Sequence, residues 1–484
     1  MALTIEQKPL YDVLPSGESI LFTVKDLSAL SYKKVKYIAR VYAAKKTSDL
    51  GTASTLDAAS LISTTKVNPN SSGVGIFDLS PILDNFVSPD YLGGHVLSDV
   101  FSHESQYITV PYDVSPHTIH QIDKYSSNRN TTIFFRVLFN MEWASNATES
   151  AVETASYLTS ETHLLFNGFL NENDILKEDN GNYGYNLSYH DLIMNDGNAK
   201  FLTNAPLKQY LRKNDFHTMA FFTNMGLGAT PSDFTVGTGS ATQMTVRKLT
   251  YTYYYNGASV STFDININGA NGGKFGLVTD SNTKLHYAGV GSGNHDGWTS
   301  LPTNWDYYTV VAKDNSGAEI SQTYSFYQQT EDCKGYELIR LGWLNQWGAW
   351  DYYNFTKKSI RTISKDTVQY QQHKGTWNEP KFIINGYQGG SRTFKSKATE
   401  AITVNTDFIT EEEGIWLEEL FLSNDVFMLN KRTTDYANEG YTRKYIEPVL
   451  ITSSDHIRKT TANDKLIQYT FELEKSKQRK THRV

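Results

Sequence analysis

The sequence predicts a mainly β, multi-domain protein built from β-sandwich or β-barrel-like domains with a few short helices. Aromatic residues make up 13% of the chain, with 31 Tyr and 24 Phe, and these side chains favour pleated sheets. Several segments alternate apolar and polar residues, which is the period of a strand, and Asn-Gly-type turns separate some of them. At 484 residues the chain is too long for one core, so we expect about two to four domains.

Residues 1–145 are predicted to form an N-terminal β domain. Residues 33–44 alternate in the manner of a strand with one wetter face, and residues 131–143 are predicted to close the domain as a buried strand. Ser80 followed by Pro81 predicts the start of a short helix, because proline suits the first helical position.

Residues 146–235 are predicted to be a mixed segment of strands and short helices, including one helix over residues 205–212. Residues 236–330 are predicted to form a β-sandwich, in the manner of an inserted domain. Its hairpin turns are expected at Asn256-Gly257 and at residues 315–317, where Asn and Gly tolerate the positive φ that tight turns need.

Residues 331–484 are predicted to form a C-terminal β domain with one helix near residues 410–422. Glutamates at positions 411–413 lie in the first turn and complement the helix dipole. A strand is expected over residues 381–385, and a hairpin turn over residues 389–392. The buried helix face is predicted to consist of Ile415, Trp416, Leu420 and Phe421.

Charge and cysteine content exclude several classes of protein. A net charge of −7 and a pI of about 6.0 argue against nucleic acid as a partner, which normally requires a basic face. Cys333 is the only cysteine, so no internal disulfide can form and we expect folding in a reducing cytoplasm. The N-terminus lacks a signal-peptide pattern, and no segment approaches the ~18 apolar residues of a membrane span.

The sequence predicts no catalytic residue, metal or cofactor. It contains no nucleophile elbow, phosphate-binding loop, zinc-protease motif or dinucleotide fingerprint. A sugar-cleaving site requires a pair of carboxylates near aromatic rings. Three acids lie near aromatic residues in the sequence and are expected to be ordinary surface groups: Asp306, Asp351 and Glu379. Residues with metal-binding side chains but no metal-site spacing are expected to lie in loops: they are His103, Asp113, His117, His120 and Asp123.

The aromatic run over residues 336–355 is the most informative segment. It contains three Trp and three Tyr, and Trp347 lies in a five-residue connection between two predicted strands. We expect Trp343 and Phe355 to serve the core, whereas Trp347 at the loop tip is expected to contact another chain. The predicted assembly contacts are Trp347, Trp350, Tyr352 and Tyr353. A basic tail is predicted as a secondary contact: Lys475, Lys477, Arg479, Lys480 and Arg483.

Residues 339–345 and 348–359 resemble a segment of large structural proteins of tailed bacteriophages, particularly phages of aquatic bacteria. Residues 73–82 and 447–473 are similar to the same proteins. The resemblance implies a non-enzymatic virion component in a tail, tail tip or baseplate. Such a protein assembles in the host cytoplasm into a ring with copies of itself and other virion proteins.

Two alternative functions stay open. In the first, the chain is a receptor-binding tail protein that stacks a host glycan on exposed rings of Trp298, Trp305, Tyr307 or Tyr308. In the second, it is a polysaccharide depolymerase.

Overall fold

A computed structural model provides the structure of the chain. It describes residues 3–9, 11–52, 55–89, 131–176, 178–179, 182–183, 190–194, 196–213, 215–223, 225–227, 234–235, 243–244, 246–266, 281, 284–295, 301–329, 335–376, 379–429, 446–460 and 466–477. Some residues singled out in the sequence lie outside this part: His103, Asp113, His117, His120, Asp123, Trp298, Cys333, Arg479, Lys480 and Arg483.

The chain forms two compact units. Unit 1 comprises Met1–Gln329 and Leu344–Asp351, and unit 2 comprises Thr330–Trp343 and Tyr352–Val484. The predicted divisions at residues 145 and 235 fall inside unit 1 and stay predictions.

The described part of unit 1 is mainly β. Its strands are β1 (Leu3–Gln7), β2 (Val13–Pro15), β3 (Leu21–Asp26), β4 (Lys33–Ala44), β5 (Gly51–Thr52), β6 (Thr55–Leu56), β7 (Leu61–Val67), β8 (Val74–Asp78), β9 (Thr132–Ala144), β10 (Val152–Glu153), β11 (Leu158–Thr159), β12 (His163–Phe166), β13 (Glu178–Asp179), β14 (Asn182–Tyr183), β15 (Lys208–Leu211), β16 (Thr218–Phe222), β17 (Met225–Leu227), β18 (Phe234–Thr235), β19 (Gln243–Met244), β20 (Lys248–Tyr255), β21 (Ala258–Asn266), β22 (Leu285–Gly289), β23 (Tyr307–Lys313) and β24 (Tyr324–Gln328). Its described helices are short: α1 (Ser80–Leu83), α2 (Glu172–Ile175) and the 3-10 turns Ala29–Ser31, Thr47–Leu50, Ala58–Ser60, Asp84–Phe86 and Ser292–His295.

Two sheets of unit 1 enclose one aromatic core. The first has the order β1-β3-β8, and the second has the order β2-β12-β9-β4-β7, with β10 and β11 also paired to β9. Phe22 and Phe77 from the first sheet lie in the same buried cluster as Tyr37, Phe135 and Phe139 from the second. The inner-facing rings alternate with wetter positions along β3 and β8, which is the pattern of a β-sandwich.

A second core lies beneath the five-stranded sheet β15-β24-β23-β20-β21. Tyr251, Tyr253 and Phe326 from this sheet share a buried cluster with Met219 and Phe221 from the β16–β22 pair. The sheet takes β15 from the segment over residues 146–235 and its other strands from residues 236–330. Apolar rings on one face of each strand therefore specify this core as well.

Unit 2 is built around one antiparallel sheet with the order β26-β25-β29-β30-β31-β28-β27. Its elements are β25 (Ile339–Leu344), β26 (Trp350–Phe355), β27 (Ile360–Gln372), β28 (Gly390–Asn405), α3 (Glu411–Leu422), β29 (Val426–Leu429), β30 (Ile446–Ile451) and β31 (Thr470–Lys475). None of the helices in the described part of the chain has the length and apolar composition of a membrane span.

The fold class predicted from the sequence, mainly β and multi-domain, is confirmed. The hairpin turn at Asn256-Gly257 is also confirmed, since both residues have positive φ, 49° and 77°. The helix predicted over residues 205–212 is wrong: residues Lys208–Leu211 form β15, paired in parallel with β24. Pairing with a neighbouring strand overrides the weak local helix preference.

The predicted C-terminal helix is confirmed as α3, but its buried face differs from the prediction. Thr410 accepts a hydrogen bond from the backbone N–H of Glu413, and the Glu413 side chain accepts one from the Thr410 N–H, which is a capping box. The buried helical side chains are Trp416, Leu417 and Leu420. Ile415, predicted to be buried, is exposed because Trp416 sets the side of α3 that packs into the core.

Candidate interaction surface

A two-stranded ribbon formed by β27 and β28 is an exposed feature of unit 2. The two strands pair antiparallel along their whole length, from Ile360 opposite Thr403 to Gln372 opposite Gly390. β31 pairs with β28 only over residues 401–405. In the described residues, positions 390–400 therefore pair with β27 alone, a length of about 35 Å at ~3.3 Å per residue.

Both faces of this ribbon are open to solvent. No residue of β27 is buried, and burial in β28 starts only at Glu400. Apolar side chains nevertheless lie along it, including Ile363, Val368 and Phe394, each more than half exposed. A two-stranded hairpin with no covered face is marginally stable in water, so this ribbon is suited to gain a covered face by binding.

Ion pairs hold the base of the ribbon to unit 2. The guanidinium of Arg361 lies 2.7 Å from the Glu337 carboxylate and 3.0 Å from that of Glu400. Glu337 and Glu400 raise the pKa of Arg361. Glu400 also lies 3.8 Å from Lys475. These ion pairs therefore hold the base of the ribbon in place.

The tip of the ribbon, described for residues 373–376 and 379–389, presents a cluster of apolar side chains. Phe382, Ile383, Ile384 and Tyr387 are 56–74% exposed. Contiguous apolar side chains in solvent mark interaction sites more often than isolated ones do. The tip is therefore the best candidate for a contact with another macromolecule.

Hydrogen bonds give the tip a defined shape. The backbone N–H of Thr376 donates to the Ile383 carbonyl at 3.1 Å, and the N–H of Ile383 donates to the Thr376 hydroxyl at 3.0 Å. Gly375 has a φ of 107°, and a Cβ there would lie 2.3 Å from the Ile383 carbonyl oxygen, so only glycine fits. The apolar side chains are therefore displayed from a structured loop.

Two predictions about this region are wrong. Residues 381–385 form no strand, and β28 begins at Gly390, inside the hairpin turn predicted over residues 389–392. Hydrogen bonds to Thr376 hold residues 381–383 in the loop. The sequence does contain a signal for this exposed apolar loop. The apolar run Phe382-Ile383-Ile384 lies between Pro380 and Asn385-Gly386, and such residues favour turns and loops.

Trp347, which the sequence predicted to contact another chain, is buried inside its own unit. Trp347 is 2% exposed, and its Nε1–H donates to the Asn204 Oδ1 at 3.2 Å. Its ring centroid lies 5.4 Å from that of His190. These partners belong to unit 1, as does the segment Leu344–Asp351 itself, so the ring serves a core.

The loop around Trp347 is fixed on both sides by hydrogen bonds inside unit 1. The Asn345 Nδ2 donates to the Leu202 carbonyl at 2.9 Å, and the Tyr287 hydroxyl donates to the Gly348 carbonyl at 2.8 Å. Gly348 has a φ of 73°, and a Cβ there would lie 1.8 Å from the Asn167 carbonyl oxygen. The loop is thus part of the packed interior.

The other predicted assembly contacts are mostly buried as well. Trp350 and Tyr352 are buried, and Tyr352 lies under the guanidinium of Arg340 with the Cζ 5.1 Å from the ring centroid. Tyr353 is half-buried, with its ring edge-on to those of Phe355 and Trp416. Burial against neighbours in their own unit covers the rings of Trp350 and Tyr352, and a contact of Tyr353 with another chain stays a prediction. Trp343 and Phe355 are buried as expected.

The two described residues of the predicted basic tail, Lys475 and Lys477, have different environments. Lys475 belongs to β31 and lies 3.0 Å from the Glu447 carboxylate, so it is a structural ion pair of the sheet and not a free latch. Lys477 is exposed.

The rings predicted to stack on a sugar offer no open face. Trp305 and Tyr308 are buried, and the prediction that they are exposed is wrong because both pack in the core against Tyr253. The Tyr307 ring stacks between those of Tyr254 and Tyr327, at centroid distances of 4.6 and 4.8 Å. Its two faces are therefore already covered.

The acids considered for sugar cleavage have structural roles where the structure shows contacts. The Asp306 carboxylate accepts a hydrogen bond from the Asn256 N–H at 2.7 Å and so supports the hairpin turn. Asp351 is buried and accepts one from the Thr203 hydroxyl at 2.6 Å. Glu379 is exposed. In the described residues, no group of three or more His, Cys, Asp or Glu side chains is positioned to hold a metal ion.

A pocket of about 460 Å³ in unit 1 was not predicted from the sequence. Trp143 lines it, and one face of that ring is covered by Tyr32 at a centroid distance of 3.9 Å. Asp26, Glu149 and Glu153 also line it. An aromatic ring beside carboxylates and hydroxyl groups is chemistry that suits a polar ligand with an apolar face.

Comparison with known proteins identifies no family. No family model matches the chain, and no curated protein matches it. Two solved structures of Escherichia coli alpha-2-macroglobulin show a weak likeness. The cryo-EM reconstruction of its native conformation has 9% identity and a TM-score of 0.18, over 83% of this chain and 21% of that one. The crystal structure of the trypsin-activated form has 7% identity and a TM-score of 0.17, over 84% and 23%.

This chain thus spans less than a quarter of the length of either alpha-2-macroglobulin chain. TM-scores this low carry no argument about fold or function.

Proposed function

We propose that the chain is a structural virion protein of a tailed bacteriophage, a tail, tail-tip or baseplate component. It assembles in the host cytoplasm, forms a ring through contacts with copies of itself and other virion proteins, and performs no catalysis. The resemblance of residues 339–345 and 348–359 supports the class of protein. The exposed ribbon with its apolar tip is the observation that carries the assembly role.

The ribbon is too exposed to be explained by the fold of one chain. Its tip holds four large apolar side chains in solvent over residues 382–387, where hydrogen bonds order the loop. Such a surface gains free energy on burial, at about 25 cal/mol per Å² of apolar area. A subunit that joins neighbours uses this gain, whereas an enzyme does not require it.

Self-association of the full chain tests the assembly role. We expect mass photometry and sedimentation velocity to show a closed oligomer, and negative-stain electron microscopy to show rings. Replacing Phe382, Ile383, Ile384 and Tyr387 together with serine should yield a monomer with an unchanged far-UV circular dichroism spectrum. A wild-type chain that stays monomeric at every concentration, alone and with purified particle proteins, contradicts the proposal.

The class of protein needs a separate test. Mass spectrometry of purified phage particles that encode the chain should detect it at a fixed copy number per particle. Its absence from the particles contradicts a virion role even when the chain forms rings alone.

A second candidate function, receptor binding, is favoured by the pocket that Trp143 lines. One face of a Trp ring next to carboxylates and hydroxyl groups can stack on a sugar and hold its hydroxyls. A glycan array tests it: wild-type protein should bind a host glycan and Trp143→Ala should not. Equal signals for both variants, or none for either, contradict this function.

A further inference from the structure

The outer face of α3 combines acidic and apolar side chains. The helix has five Glu and no Lys or Arg. Glu411, Ile415 and Leu422 are spaced to lie along one side, and Ile415 and Leu422 are 52% and 65% exposed. Trp416 and Leu420 occupy the opposite, buried side, so α3 cannot turn to bury this stripe.

The ribbon carries the opposite charge. Residues 360–405 contain seven Lys or Arg and three Asp or Glu, a formal charge of +4 in a chain whose total is −7. The rest of the chain therefore carries −11. A basic, apolar ribbon is thus attached to an acidic protein, and charge complementarity of this kind directs association and selects partners.

Pairing of two ribbons with each other is disfavoured. β27 lies at the edge of the sheet, where an unpaired strand invites pairing with another chain. Residues 360–372 carry two basic side chains and one acidic side chain, so two β27 strands side by side bring together two segments of net positive charge, which disfavours a strand pair. The ribbon therefore fits an acidic surface better than it fits itself.

We infer that the ribbon of one copy binds along the outer face of α3 in a second copy of this chain. The tip side chains Phe382, Ile384 and Tyr387 cover Ile415 and Leu422 there, and ribbon lysines lie next to the glutamates. This inference rests on the proposed assembly role and names its interface. The α3 helix is about 18 Å long at 1.5 Å per residue, which the ribbon can span.

The two surfaces are different, so the contact is head-to-tail. Head-to-tail contacts build a ring when the rotation between copies closes. The same two surfaces on every copy are sufficient for such a ring. The outer face of α3 therefore provides the acidic and apolar surface to which the ribbon of a neighbouring copy binds.

Photo-crosslinking of the full chain tests the contact. Benzoylphenylalanine replaces Ile384, which is 62% exposed, and the variant is mixed with an equal amount of ¹⁵N-labelled wild-type chain. After irradiation, peptide mass spectrometry should join an unlabelled tip peptide to a labelled peptide from residues 408–422. The matched control places the same residue at Val260, exposed on β21 in unit 1, and should give no crosslink to that peptide.

Charge reversal provides an independent measurement. Glu411→Lys with Glu412→Lys should weaken self-association at least tenfold, and so should Lys374→Glu with Lys381→Glu. A chain with all four changes should recover at least part of the loss, because both surfaces then carry reversed charge. All four side chains are exposed, so far-UV circular dichroism should be unchanged in every variant.

The outcomes separate this inference from the proposed function. Crosslinks to any other region of a labelled chain, or no weakening by charge reversal, overturn the α3 interface and leave the assembly role intact. Crosslinks only within unlabelled chains also overturn it. A chain that neither self-associates nor joins particle proteins removes the assembly role as well.

Discussion

Replacing Trp347 with alanine should destabilise unit 1 by about 4 kcal/mol. Removing a buried aromatic side chain costs about 3–5 kcal/mol through lost transfer free energy and the cavity left behind. Trp347 is 2% exposed and also donates a hydrogen bond to Asn204, which contributes about 1 kcal/mol. Trp347→Phe retains a ring and loses this hydrogen bond, so about 1–2 kcal/mol is expected.

Urea unfolding followed by near-UV circular dichroism measures these differences. Samples must be dilute and matched in concentration, because association of folded chains stabilises them by mass action. Ile384→Ala is the control, since a substitution at an exposed position normally changes stability by less than about 0.5 kcal/mol. If Trp347→Ala keeps wild-type stability and weakens association instead, the burial argument is refuted and Trp347 is a contact residue.

Three further perturbations test local parts of the structure. Burial lowers the pKa of His163 to about 4, opposed by the backbone of Tyr11 and the Glu161 carboxylate. The unfolded chain therefore binds more protons below pH 6.5, so stability should fall by about 3 kcal/mol as pH drops from about 6.5 to 4, and His163→Leu should reduce that slope in urea unfolding. Gly257→Ala should cost about 1 kcal/mol, because a φ of 77° strains any side chain even in open space. Thr410→Ala should cost about 1 kcal/mol by removing the N-cap of α3, as measured by thermal unfolding.

Each of these three predictions would be contradicted by a specific result. An unchanged pH slope in His163→Leu means that another group titrates on unfolding. Gly197→Ala is the control for Gly257, since Gly197 has open space and no positive φ, and equal losses at both sites contradict the turn argument. Thr410→Ser should retain wild-type stability, and a loss equal to that of alanine means that the cap contributes little.

Local features of the fold were readable from the sequence because their physics is local. The Asn256-Gly257 turn follows from which residues tolerate positive φ, and the start of α3 follows from the glutamates at positions 411–413 in its first turn. The fold class follows from aromatic content and strand periodicity. Each depends on a few neighbours along the chain, so no tertiary information was needed.

The solvent exposure of individual side chains could not be predicted from the sequence. This exposure determined where the candidate interaction surface lies. Trp347 looked like the tip of a free loop, yet Asn204 and His190, far away in sequence, bury it. Ile415 looked like a core residue of an amphipathic helix, yet α3 packs through the side that Trp416 defines. Ile384 looked like part of a strand, yet hydrogen bonds to Thr376 hold that region in an exposed loop.

The sequence by itself determined a mainly β, aromatic-rich chain with an acidic total charge, the hairpin turn at Asn256-Gly257 and one C-terminal helix. Only the tertiary structure decided which aromatic and apolar side chains face solvent, and so moved the candidate contact from Trp347 to the ribbon tip. The physical reason is that propensity and turn chemistry are properties of short segments. Burial depends on residues from distant parts of the chain that pack around a side chain. For this reason the aromatic ring of Trp347 is buried whereas that of Tyr387 is exposed to solvent.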